Sequence, residues 1–182
     1  MKLLTKLPIA ILIMVVAILA SGLLGCRKSL LSLRKSAEDF FYSGENSDGN
    51  SIQSDLEYIG ATANNMKTIA VRYIDPGDKL IEDLNESRSA LASAKTISEK
   101  YEAAQSLFDA VTALHDSLDP NIMNSTDKSF RSSLYDDIKS AMQRISHNGY
   151  NDAAREFNET LEHFPAKFIS GLVGIKPIQL YG

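Results

Sequence analysis

Leu7 to Leu24 is a run of 18 residues without a single charge, and it limits this chain more than any other feature of its sequence. As an α-helix it would extend roughly 27 Å at about 1.5 Å per residue. That is close to the hydrocarbon thickness of a bilayer, about 30 Å. Pro8 stands near the start, where a helix tolerates a missing N–H. Core helices of soluble proteins seldom exclude every charge over such a length, so the run is expected to enter a membrane. Two readings of it stay open. It is either a retained transmembrane helix or a lipoprotein signal segment. The second has a basic start (Lys2, Lys6), an apolar stretch, and then Leu23-Leu24-Gly25-Cys26, which resembles a lipobox whose cysteine is lipidated after cleavage. Leu24 departs from that pattern, since a small or β-branched residue is usual there.

Charge is divided unevenly along the chain. Lys2, Lys6, Arg27, Lys28, Arg34 and Lys35 are the only basic residues before position 36, and no acid precedes Glu38. Residues 36–182 therefore hold 13 of the 19 Lys and Arg residues against all 23 acids, a net charge of −10. A domain that acidic is repelled by phosphate backbones, which argues against nucleic-acid binding. The basic residues instead collar the apolar run, where anionic headgroups would meet them. Counting positive charges on either side slightly favours a cytoplasmic domain, whereas a cleaved lipoprotein would face outward. With one cysteine there is no internal disulfide and no cysteine-based zinc site.

Helical periodicity fills the remainder. Leu30, Leu33, Ala37, Phe40 and Phe41 continue one face after the apolar run, and Gly44–Asn50 breaks it with loop residues. Ile52, Leu56, Ile59, Ala63, Met66, Ala70 and Tyr73 then alternate steps of four and three, as a heptad seam does. The phase persists through Leu80, Leu84, Ser87, Leu91 and Ala94. This predicts one helix kinked at Pro76 or two nearly coaxial helices, with Asp75 as a cap. A third helix, capped by Thr96 or Ser98, carries Tyr101, Ala104, Leu107, Phe108, Val111, Leu114 and Leu118. A fourth runs from near Ser125 through Phe130, Leu134, Ile138, Ala141 and Ile145, with a weak point at His147-Asn148-Gly149. It continues through Tyr150, Ala154, Phe157, Leu161 and Phe164 to Pro165. The apolar stretch Phe168–Tyr181 reads as a docked tail without regular structure. The expected fold is all-α: an N-terminal membrane helix or signal segment over residues 1–26, then an extended antiparallel four-helix bundle with its docked tail over 27–182.

The final third also carries a family resemblance. Tyr150-Asn151-Asp152-Ala153-Ala154-Arg155-Glu156-Phe157-Asn158, then Phe164-Pro165, then Gly171-Leu172-Val173-Gly174-Ile175-Lys176-Pro177, resembles the C-terminal signature of the LemA family of bacterial membrane proteins. Ser29-Leu30-Leu31-Ser32-Leu33 and Ala92-Ser93-Ala94-Lys95-Thr96 are similar to less specific family segments. The family's Arg-x-Asp-Leu-Ile-Pro-Asn-Leu-Val stretch is missing, and only fragments of it survive around Asn64, Asn65, Met66 and Tyr73. The resemblance implies a helical bundle behind a membrane helix, at the bacterial inner membrane or envelope, and no catalysis.

Residues suited to chemistry are sparse. No phosphate-cradling loop, no His-Glu-x-x-His and no Gly-x-Ser-x-Gly occurs. His115, His147 and His163 are far apart and read as solvated or helix-terminal residues. Asp136 and Asp137 are neighbours on a helix and point about 100° apart, so they do not share a proton. Asn151 and Asn158 stand seven residues apart beside Tyr150 and Phe157, which suggests a polar layer fixing helix register or partner choice. Those four residues and Cys26, as a lipidation site, are the candidate functional positions. No cofactor, metal or small-molecule substrate is expected. The expected partners are the membrane and a protein, either another kind or a second copy. The expected role is a membrane-tethered interaction or scaffolding module, with a structural or lipid-associated envelope lipoprotein as the alternative.

Overall fold

A computed structural model describes residues 6–44 and 49–182. Lys2 of the basic start and Glu45–Asp48 of the first loop lie outside the described residues. The apolar run and the face that follows it form one helix, α1 (Lys6–Ser43). An 18-residue window in it has a mean hydropathy of 2.8, and none of that window is buried. By length and composition it qualifies as a membrane span. The described residues form helices and no strands, in agreement with the all-α reading.

The chain divides into two compact units. The first joins the segment ending at Glu38 to Ala153–Ile178. The second joins Asp39–Asp152 to Gln179–Gly182.

In the second unit, α2 (Ile52–Ala70) begins at a reciprocal cap. The Ser54 N–H donates to Ser51 Oγ (3.0 Å), and the Ser51 N–H donates to Ser54 Oγ (3.1 Å). Its heptad seam is its buried face, Ile52, Leu56, Ile59, Ala63, Met66 and Ala70. The next helix, α3 (Lys79–Ser93), is neither a kinked continuation nor coaxial. Lys67 Nζ donates to Asn85 Oδ1 (2.9 Å), and Arg88 Nε donates to the Gly60 carbonyl (3.1 Å). A continuous helix would hold Gly60 and Arg88 about 42 Å apart. The chain therefore reverses between α2 and α3. Asp75 is not the cap: its carboxylate accepts the Gly77 N–H (2.7 Å) and tightens the reversal, while Asp78 caps α3 through the Leu80 N–H (2.9 Å).

Of the two caps expected, Thr96 is the one that caps α4 (Ile97–Ser117), with Glu99 as its reciprocal partner. Glu99 accepts the backbone N–H groups of Thr96 and Lys95, and these hold its carboxyl below the usual range. Asn124 caps α5 (Ser125–Ser146). α5 stops at His147, and Asn148 Oδ1 accepts the Tyr150 N–H (2.9 Å) at the start of α6 (Tyr150–Glu162). The single fourth helix expected from the pattern is thus two. In this unit α2 packs on α5, α3 on α4, and α2 on α3. The four seams read from the sequence do not map one to one onto these helices. Phe130, expected in the core, is exposed.

In the first unit, Leu30 and Ala37 of α1 are buried, as are Ala154, Phe157 and Leu161 of α6. Phe164, expected on the same face, is 88% exposed, because α6 has ended at Glu162 and the residue before a proline is driven out of helical geometry. The tail is more regular than expected. Ala166–Val173 forms α7, closed by Gly174 at φ 71°, a left-handed cap suited to glycine. Ile169, Ser170, Ile175 and Ile178 are buried, whereas Phe168 and Leu172 are exposed.

Candidate functional site

Asn151 and Asn158 on α6 do the same thing in different units. In the first unit, Asn158 Nδ2 donates to the Ile178 carbonyl (2.9 Å), and its Oδ1 accepts the Ile178 N–H (2.7 Å). In the second, Asn151 Nδ2 donates to the Tyr181 carbonyl (2.9 Å), and its Oδ1 accepts the Tyr181 N–H (2.8 Å). Each side-chain amide pairs with both backbone groups of one tail residue, as a neighbouring strand would. The spacing is commensurate. Seven helical residues rise about 10.5 Å, and three extended residues about 10 Å. Both asparagines thus hold the protein's own tail, by backbone contacts that leave the tail's side chains free to vary.

Aromatic rings close the second clamp. Tyr150 is fully buried, its hydroxyl donates to the Gln179 carbonyl, and its ring meets Phe41 edge-on at 5.3 Å. Tyr181 stands edge-on to Tyr101 at 5.2 Å and tilted against Phe41 at 6.0 Å. The Tyr181 hydroxyl is buried without a hydrogen-bond partner, and burial pushes its pKa well above the ordinary tyrosine value. Phe157, the fourth of the sequence candidates on α6, is a buried core residue of the first unit.

A second polar cluster was not anticipated. Asp127, buried in the first turn of α5, accepts from Arg72 Nη1 (2.8 Å), Tyr73 Oη (2.7 Å) and Asn124 Nδ2 (2.9 Å). The Tyr73 hydroxyl bond is the largest cause holding the Asp127 carboxyl below its usual range, with Arg72 and Asn124 adding to it. The same bond raises the Tyr73 pKa. The only local sign of this cluster is the Asn124–Asp127 spacing of a helix cap; Arg72 and Tyr73 lie more than 50 residues away.

The remaining candidates are scattered. Cys26 is a half-exposed free thiol in mid-α1. His115 is mostly covered, stacked on Tyr135 at 4.2 Å with Nδ1 2.9 Å from Asp116. His147 caps the end of α5. Among the described residues no three His, Cys, Asp or Glu side chains are grouped to hold a metal. A cleft of about 370 Å³ between α2, α3 and the start of α4 is floored by Leu56 and Leu91. The cations on its walls are engaged: Arg88 with the Gly60 carbonyl, and Lys100 Nζ with Gln53 Oε1 (2.6 Å).

These features define an all-helical protein with an apolar N-terminal helix and a C-terminal tail strapped down by asparagines. The LemA family model matches residues 51–182, and the chain belongs to that family. Comparison with curated proteins finds no match.

Proposed function

We propose that this LemA-family chain is a membrane-anchored helical protein that serves as an interaction or scaffolding module at the bacterial envelope, and that it performs no catalysis. The observation that carries this reading is the apolar half of α1, an 18-residue window of mean hydropathy 2.8 with none of it buried by the rest of the chain. Leaving that much apolar surface in water is unfavourable by about 25 cal/mol per Å², so a bilayer is its natural surroundings. The non-catalytic part is supported by how the polar groups are used: buried Asp127 ties one end of a reversal to α5, and the half-buried Asn151 and Asn158 hold the tail. The partner under this reading is a protein, another kind or a second copy, and neither a nucleic acid nor a small substrate.

Fractionation tests the anchor, since the full-length chain should stay in the membrane pellet after an alkaline carbonate wash. Recovery in the wash supernatant would overturn it. Crosslinking in native membranes followed by co-purification tests the module, and a specific crosslinked protein is expected. The lipoprotein alternative rests on Leu23-Leu24-Gly25-Cys26. It requires palmitate labelling that Cys26→Ser abolishes, whereas an intact Met1 in the mature protein selects the uncleaved transmembrane helix.

A further inference from the structure

Phe164, Phe168 and Leu172 lie four residues apart and are 88%, 62% and 59% exposed. The spacing places Phe168 and Leu172 on one side of α7, with Phe164 leading into it. The opposite side is the docked one, where Ile169 and Ser170 are buried. Water is a poor setting for such a stripe, and the chain itself points to what covers it.

The first piece of this argument is charge. Of the 23 acids, none lies before Glu38 and none after Glu162. The stretch containing α7 carries the exposed Lys167 and Lys176 and no negative charge. The span and its collar of Arg27, Lys28, Arg34 and Lys35 have the same character. The second piece is position. α1 as far as Glu38 belongs to the same compact unit as Ala153–Ile178, and Arg34 Nη1 donates to the Lys176 carbonyl (3.4 Å). The covered side of α1 starts higher still: Leu23 and Cys26 are half-covered and Leu30 is buried, at steps of three and four. Leu23 belongs to the uncharged run itself, and Leu30 lies only about 9 Å past the end of that run at the helical rise. The covered side of α1 therefore begins at the edge of the span.

We propose that the outward face of α7, formed by Phe164, Phe168 and Leu172, lies in the headgroup–acyl boundary of the bilayer that α1 crosses, with Lys167 and Lys176 toward anionic headgroups. The inference rests on the anchoring reading above. A short helix with one apolar face and basic neighbours is suited to the interface plane, some 5–10 Å into the boundary. Phenylalanine and leucine there add buried apolar area, and the lysines add attraction that falls off within a Debye length, about 8–10 Å. The same helix thus faces two ways, with Ile169 holding the protein and Phe168 holding the membrane.

The chain contains no tryptophan, which makes a single-reporter experiment clean. Three full-length versions, Leu19→Trp in the span, Phe168→Trp on α7 and Phe130→Trp at an exposed position of α5, are reconstituted into nanodiscs of phosphatidylcholine and phosphatidylglycerol. Fluorescence is compared with and without bromine on the acyl chains. The Leu19 and Phe168 reporters should lose most of their emission to the brominated lipid, and the Phe168 reporter should emit at shorter wavelength than the Phe130 reporter. Quenching of the Phe168 reporter no greater than that of the Phe130 reporter, with the Leu19 reporter quenched, overturns the α7 contact and leaves the anchor standing. An unquenched Leu19 reporter overturns the anchor itself. Phe164→Trp, at a still more exposed position, repeats the measurement should the Phe168 variant fold poorly.

Discussion

Asp127 and Tyr181 are buried to similar depths in the same unit, at 3% and 8% exposure, yet their polar groups meet opposite fates. Asp127 gathers Arg72, Tyr73 and Asn124, while the Tyr181 hydroxyl has no partner. The difference follows from charge. An ionised carboxylate cannot be removed from water without donors and a counter-ion, so the fold has to wrap it. A phenol can stay neutral, and its ring brings enough contact with Tyr101 and Phe41 to carry one unsatisfied hydroxyl. One end of the unit is therefore held by polar geometry and the other mainly by rings and backbone pairing. Substitutions can break or sharpen that contrast, each read by thermal and denaturant melts of the full-length chain in detergent.

The largest effect sets the scale for apolar packing alone. Phe157→Ala, at a side chain 4% exposed, should cost roughly 3–5 kcal/mol. Glu159→Ala, on the exposed face of the same helix, should change the midpoint little. A loss under about 1 kcal/mol for Phe157→Ala would mean that α6 is not packed as described.

Next comes the backbone pairing at the tail. Asn151→Ala leaves the Tyr181 N–H and carbonyl without their partner and should cost about 1–3 kcal/mol. Asn151→Asp keeps the acceptor but loses the donor, so it should fall between wild type and alanine. Equal stability of all three would show that the rings hold the tail unaided.

The carboxylate cluster is best separated by pH. Because the folded Asp127 pKa is lowered, its contribution is fully present above the ordinary aspartate value, about 3.9. It is lost as pH falls through the lower folded value. Asp127→Asn should therefore lower the melting temperature at neutral pH, and the gap to wild type should close in acid. A gap that stays constant down to pH 2 would assign the loss to shape and not to charge.

How much of this was legible in the sequence differs residue by residue. The apolar helix and the seam Ile52–Ala70 were readable because helix formation and burial follow from residue type and its spacing. The reversal at Pro76 was not, since a heptad phase that resumes after a turn looks the same as one that never stopped. Gly60 near Arg88 is a fact of the third dimension. Asn151 and Asn158 were conspicuous by spacing, but their partners are backbone groups of the tail, and a backbone group has no residue type to recognise. Asp127 looked like an ordinary first-turn acid, and nothing local announces Arg72 or Tyr73. Phe164 misled because its step from Leu161 is helical while the helix itself has stopped.

The smallest effect is the one that tests the contrast most directly. Tyr181→Phe removes a hydroxyl that has no partner and keeps the ring against Tyr101 and Phe41. Burying an unpaired polar group is unfavourable by about 1–3 kcal/mol, so the variant should melt at the wild-type temperature or slightly above it. The alkaline limb adds an independent sign. Burial raises the folded pKa of Tyr181, so its neutral form contributes stability below the ordinary tyrosine pKa, about 10. That contribution is lost as pH rises through the raised folded value, because unfolding then releases a proton that the native state retains. Wild type should therefore lose stability above pH 10 more steeply than Tyr181→Phe does. Tyr73, raised by its bond to Asp127, remains in both proteins and contributes equally to each. A clear drop on Tyr181→Phe at neutral pH would show that the hydroxyl is bonded in solution, to an enclosed water. The tail end would then be a polar lock of the same kind as Asp127.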